Sequence, residues 1–129
     1  PKLIQVSMSQ IQRTILIIDD DSVDRALYQR YLRRDKDHTY QFVEVSLGET
    51  GLELWQHHRP DVVLLDYRLP DLDGLTFLTR LQQQTKQTTL PVIMVTGQGS
   101  EEIAVQAIKI GAQDYLVKEQ ITPESLQLA

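Results

Sequence analysis

The stretch 61–66, DVVLLD, constrains the fold more than any other. It is an apolar run with no polar alternation that ends on a carboxylate, Asp66, and breaks at once into a loop holding Pro70 and Gly74. A run of this length without alternation suits a strand covered on both faces, as in a parallel sheet flanked by helices. The pattern recurs: TILIID (14–19), YQFVEVS (40–46), LPVIMVTG (90–97) and DYLVK (114–118) read as further strands.

Segments of helical period separate these runs. In DDSVDRALYQRYLRR, Ser22 is placed to cap a helix whose stripe is predicted to be Val23, Leu27 and Tyr31. GETGLELWQHH offers Leu52 and Trp55 to a core, and GLTFLTRLQQQ offers Leu75, Leu78 and Leu81. SEEIAVQAIKIGA has Ser100 as its expected N-cap, two glutamates in the first turn and Gly111 just past the end. ITPESLQLA opens with Thr122 as cap and Pro123 at the first helical position. Five strands alternating with five helices predict an α/β domain with helices on both faces of a parallel sheet.

At 129 residues the chain can bury a real core without disulfides, and it has no cysteine from which to form them. A formal charge of −5 is a poor match for phosphate backbones, so no direct nucleic-acid contact is expected. No apolar run approaches the roughly 20 residues of a membrane span, and no signal-peptide pattern is present, so a cytoplasmic domain without membrane contact is expected. Residues 1–13 lack a period and read as a linker or extension, with the domain over 14–129. The start at Pro1 and the stop at Ala129, in a helix barely begun, suggest a piece of a longer polypeptide.

In open parallel sheets the functional groups gather at the carboxyl ends of the strands. Those ends carry Asp19 and Asp20, Asp66, Thr96 and Lys118. Three converging carboxylates repel one another unless a cation sits among them, and all-oxygen donors favour Mg2+. A carboxylate nucleophile, a hard metal, a lysine and a hydroxyl together make an aspartyl-phosphate site.

These same segments resemble the receiver domain of bacterial two-component response regulators over roughly residues 14–128. ILIIDDD resembles the acidic pair of that family, LLDYRLPDLDG its phospho-acceptor segment, VIMVTG its switch threonine, and DYLVK its aromatic and lysine. The resemblance implies a flavodoxin-like fold with strand order 2-1-3-4-5. It implies that Asp66 is phosphorylated, and that Asp19, Asp20, Asp66 and the Arg68 backbone carbonyl hold Mg2+. Thr96 and Lys118 would meet the phosphoryl group, Tyr115 would act with Thr96 as a switch, and Gly97 would leave access. Arg68 and Gln98 would stand where phosphate lifetime is tuned. The implied partners are a sensor histidine kinase or a histidine phosphotransfer protein, and a downstream output domain or protein. A hybrid sensor kinase is one expected parent. The family's lysine is commonly followed by a cis proline. Here Glu119 follows Lys118, and a cis bond before a non-proline residue costs about 3 kcal/mol, which favours trans.

Blander roles exist for each residue. Asp19, Asp20 and Asp21 suit a helix start, with Asp21 and Ser22 read as caps. Asp71 and Asp73 suit a turn before Gly74, and Thr96, Tyr115 and Lys118 suit ordinary strand-end positions. His57 and His58 are adjacent and face different sides of a helix, so they cannot pair as ligands. Trp55 and Met94 read as core. Two other functions compete with the phospho-acceptor: a pseudo-receiver that docks a partner without phosphate turnover, and a haloacid-dehalogenase-like phosphatase using Asp19 and Asp21, which would leave Asp66 without a task.

Overall fold

The structure, a computed structural model, describes residues 11–97 and 101–129. Within them five strands alternate with five helices: β1 (Ile11–Ile18), α1 (Ser22–Arg33), β2 (His38–Val45), α2 (Gly48–His58), β3 (Val62–Asp66), α3 (Gly74–Thr85), β4 (Leu90–Thr96), α4 (Glu101–Ile110), β5 (Ala112–Val117) and α5 (Pro123–Leu128). All neighbouring strands are parallel, in the order β2-β1-β3-β4-β5.

The unalternating runs are explained by burial on both faces. In β1, Leu16 and Ile18 join a core with Leu52, Trp55, Phe77, Leu78 and Leu81 from α2 and α3. Ile15 and Ile17 point the other way, onto Tyr28 and Leu32 of α1 and Leu126 of α5. Met94 belongs to the first core, and His57 and His58 lie exposed at the end of α2.

β1 starts at Ile11, ahead of the expected 14, because residues 11–13 pair with His38, Thr39 and Tyr40 of β2. Gln12 and Arg13 interrupt the apolar run here, which is why the sequence pattern places the start at 14. The remainder of the expected linker, and the Ser100 cap, lie outside the described residues.

Two local expectations are corrected. The cap of α1 is Asp21, whose carboxylate accepts from the Val23 amide, and Ser22 is already the first helical residue. The buried stripe is also rotated: Val23 is 72% exposed, while Tyr28 and Leu32 are buried. The polar residue Asp24 heads the line 24, 28, 32, which a search for apolar periodicity passes over.

The ends of the last two helices follow their sequence signals. Gly111, at φ +135°, closes α4, its amide donating to the carbonyls of Ala107 and Ile108. Thr122 and Ser125 form a reciprocal capping box behind Pro123. No peptide bond among the described residues is cis, and Lys118 opens a 3-10 turn that runs to Gln120.

Candidate functional site at the carboxyl edge of the sheet

Strand order reverses at β1 and β3, and the crevice outside their carboxyl ends is where an open α/β sheet places ligands. Asp19 and Asp20 follow β1, and Asp66 is the last residue of β3. The three offer carboxylate oxygens within 4.8 Å of one another. Asp19 is 1% exposed and Asp66 8%, whereas Asp20 is open to solvent.

Lys118, just beyond β5, reaches into the same place. Its Nζ lies 3.5 Å from Asp66 Oδ2, 3.6 Å from Asp19 Oδ2 and 2.9 Å from Asp24 Oδ2. Thr96 ends β4 beside Val117 and is buried. The crevice wall includes Asp20, Asp66, Tyr67, Arg68, Gly97 and Lys118. A Cβ on Gly97 would meet no atom of the described residues within 4 Å.

The electrostatics are unbalanced. Burial pushes the Asp19 carboxyl up to about 6; the charges of Asp66 and Asp24 add to this, while the Asp21 amide and Lys118 oppose it. Burial also raises Asp66, outweighing Lys118 and the Arg68 amide. Lys118 is raised as well: burial works against its charge, but the carboxylates of Asp24, Asp19 and Asp66 prevail. Asp19 Oδ1 accepts from the Asp21 amide at 2.8 Å, while its buried Oδ2 has no hydrogen-bond partner among the described residues. A buried carboxylate oxygen without a hydrogen bond, 3.6 Å from its nearest ammonium, is costly to maintain and suits a closer cation.

The loop after Asp66 is tightly tied. The Arg68 amide donates weakly to Asp66 Oδ1, Arg68 bridges Asp73, and the Gly74 amide donates to the Tyr67 carbonyl at 2.7 Å. Asp73 caps α3 through the Thr76 amide. Asp71, read in the sequence only as a turn former, accepts from the Gly48 and Glu49 amides and so caps α2 from a distant loop.

The structure thus gathers Asp19, Asp20, Asp66, Arg68 and Lys118, with Thr96 at the adjoining strand end. Tyr115 stands apart on edge strand β5, 40% exposed. Gln98 lies outside the described residues. Sequence reasoning missed Asp24, because an acid in a first helical turn reads as a partner for the helix dipole.

Fold and site together define a doubly wound, flavodoxin-like α/β domain with an acidic crevice at its switch point. The model of the response regulator receiver domain matches residues 15–129, and the chain belongs to that family. The transcriptional regulatory protein SrrA of Staphylococcus aureus is 38% identical over 104 residues, covering 81% of this chain. The chain spans 41% of that relative's length. Among solved structures, the receiver domain of NtrX from Brucella abortus is 30% identical with a TM-score of 0.77, covering 88% of this chain and 92% of that one. A receiver domain protein from Clostridium thermocellum is 29% identical with a TM-score of 0.77, covering 90% of this chain and 89% of that one. The chain is a receiver domain of two-component signalling. No helix among the described residues is long and apolar enough to cross a membrane.

Proposed function

We propose that Asp66 accepts a phosphoryl group from a phosphohistidine of a sensor kinase or phosphotransfer protein, with Mg2+ bound by Asp19, Asp20, Asp66 and the Arg68 carbonyl. The observation that carries this reading is the meeting of Asp66 with two further carboxylates and the Lys118 ammonium at the strand-order reversal.

The donor set fits the ion: hard oxygens, a buried Asp19 Oδ2 without a hydrogen bond, and two carboxyls that burial raises despite the nearby Lys118. When bound, Mg2+ neutralises charge developing on the transferring group. The chain's own residues do the rest. Asp66 attacks as a carboxylate, so the new P–O bond forms as the P–N bond of the donor breaks and the histidine nitrogen keeps the electron pair. Lys118 offers its ammonium to a phosphoryl oxygen, and the Thr96 hydroxyl stands at the neighbouring strand end to donate to another. The absence of a side chain at Gly97, on the crevice wall, supports entry of the donor.

The added charge then biases the crevice loops toward a second state, with Thr96 and Tyr115 as the moving pair, and changes which output domain or protein is engaged. The transcriptional name of the SrrA relative supports a DNA-binding output in the full-length protein. This acidic domain, at net charge −5, would not itself hold the DNA.

The test is intact mass after incubation with acetyl phosphate, with and without Mg2+, on wild type and Asp66→Asn. One phosphoryl group gained only when both Mg2+ and Asp66 are present supports the assignment. No adduct on the wild type, or an undiminished adduct on Asp66→Asn, refutes it.

A further inference from the structure

The shortest ion pair of Lys118 is with Asp24, not with either of the crevice aspartates. The Nζ to Oδ2 distance is 2.9 Å for Asp24, against 3.5 Å for Asp66 and 3.6 Å for Asp19. This is not a loose surface contact: the Lys118 and Asp24 side chains are 30% and 24% exposed. Asp24 heads the 24, 28, 32 line of α1, whose next two members, Tyr28 and Leu32, are buried against the sheet. The helix therefore aims Asp24 at the crevice rather than at solvent.

Its local alternative is also closed. An acid three residues past a helix cap ordinarily reaches back to the cap's own amide. Here that amide, Asp21 N, already donates to Asp19 Oδ1 at 2.8 Å. The Asp24 carboxylate is left for the lysine.

We propose that Asp24 is a positioning residue that holds Lys118 toward α1 and so weakens the hold of the crevice on an anionic phosphoryl group. The proposal rests on the reading of Asp66 as acceptor. Asp24 acts twice with the same sign. It competes with the incoming oxyanion for the ammonium, and its charge repels that oxyanion across a half-buried crevice. The unphosphorylated state is favoured as a result.

The experiment measures affinity for beryllofluoride, a phosphoryl mimic, in excess Mg2+ by fluorine NMR on wild type, Asp24→Asn and Asp24→Glu. Asn keeps the shape without the charge and is expected to bind about three- to fivefold tighter, the scale of one partly exposed ion pair. Glu keeps the charge and is expected to stay within about twofold of wild type. An Asp24→Asn protein that binds no tighter, or a Glu variant that tightens as much as Asn, overturns the proposal while leaving the acceptor reading intact. Absence of any Mg2+-dependent binding by the wild type removes the acceptor reading and this proposal with it. A role of Asp24 confined to helix stability would shift melting of the variants and leave anion affinity unchanged.

Discussion

Asp19→Asn should stabilise the metal-free domain although it removes a residue assigned to the site. The Asp19 carboxyl is raised from 3.8 to about 6, mainly by burial. The folded state therefore holds its proton more tightly than the unfolded chain does, and between these values stability falls as pH rises. At pH 7.5 the full penalty applies, ~3 kcal/mol for a rise of that size. Asparagine removes the charge and keeps an oxygen for the Asp21 amide. It also buries an amide in place of Oδ2, which offsets about 1 kcal/mol; the attraction to Lys118 is already contained in the net rise. The variant should be more stable than wild type by about 2 kcal/mol at pH 7.5, with a flatter profile between pH 4 and 7, read by urea unfolding. Mg2+, if held as proposed, should reverse the ranking: at about a hundred times its Kd it would add ~2.7 kcal/mol to the wild type and nothing to a variant that does not bind it. An Asp19→Asn protein no more stable than wild type at pH 7.5 without metal, or one whose pH profile retains the wild-type slope, would refute the reasoning.

Three further outcomes are expected. Gly111→Ala should cost about 2 kcal/mol or more in urea unfolding, since φ is +135° and the new Cβ would sit 2.6 Å from the Thr88 carbonyl oxygen; a loss under about 0.5 kcal/mol would contradict this. Asp71→Ala should cost about 1 kcal/mol through loss of the cap on α2, seen as a lower melting temperature. The Asp71 carboxyl is held low because the Glu49 and Gly48 amides outweigh the opposing effect of burial, so its contribution is present above the ordinary carboxylate pKa and is lost as pH falls through the lowered one. Lys118→Met should destabilise the metal-free domain by about 1–2 kcal/mol at pH 7.5 and move the Asp66 titration further upward in carboxyl-carbon NMR, because its principal counter-charge is gone.

The elements of this domain were legible because two-sided burial erases alternation: VVLLD and PVIMV can sit only between layers of helices. Strand order was less accessible. The alternation of elements argued for parallel pairing, but the place of β1 between β2 and β3 was implied by resemblance to a family rather than by period. Asp19, Asp66 and Lys118 could be picked out because strand ends in such sheets share an edge. The orientation of α1 was not legible, because its inward line begins with an aspartate, and hydrophobic periodicity cannot count a half-buried charge whose partner lies ninety-four positions away at Lys118. The cap of α2 escaped for a related reason. Its N-cap position is Leu47, with no side-chain hydrogen bond of its own, and the acceptor comes from Asp71 on another loop. Long-range partners of this kind leave no mark within a local window of sequence.

The tie from Asp71 to α2 makes the two banks of the crevice mechanically unequal. On one bank, residues 67–73 form a bracket bolted at Asp71 to the Gly48 and Glu49 amides, cross-braced by Arg68 and Asp73, with Leu72 seated where Gly48 has no side chain. On the other, Gly97 brings no side chain to the wall, and Lys118, held through its ion pairs rather than through backbone ties, begins a single 3-10 turn. A phosphoryl group on Asp66, as proposed, would then do little work on the first bank and more on the second, with the start of α2 as the fulcrum of a one-sided lever.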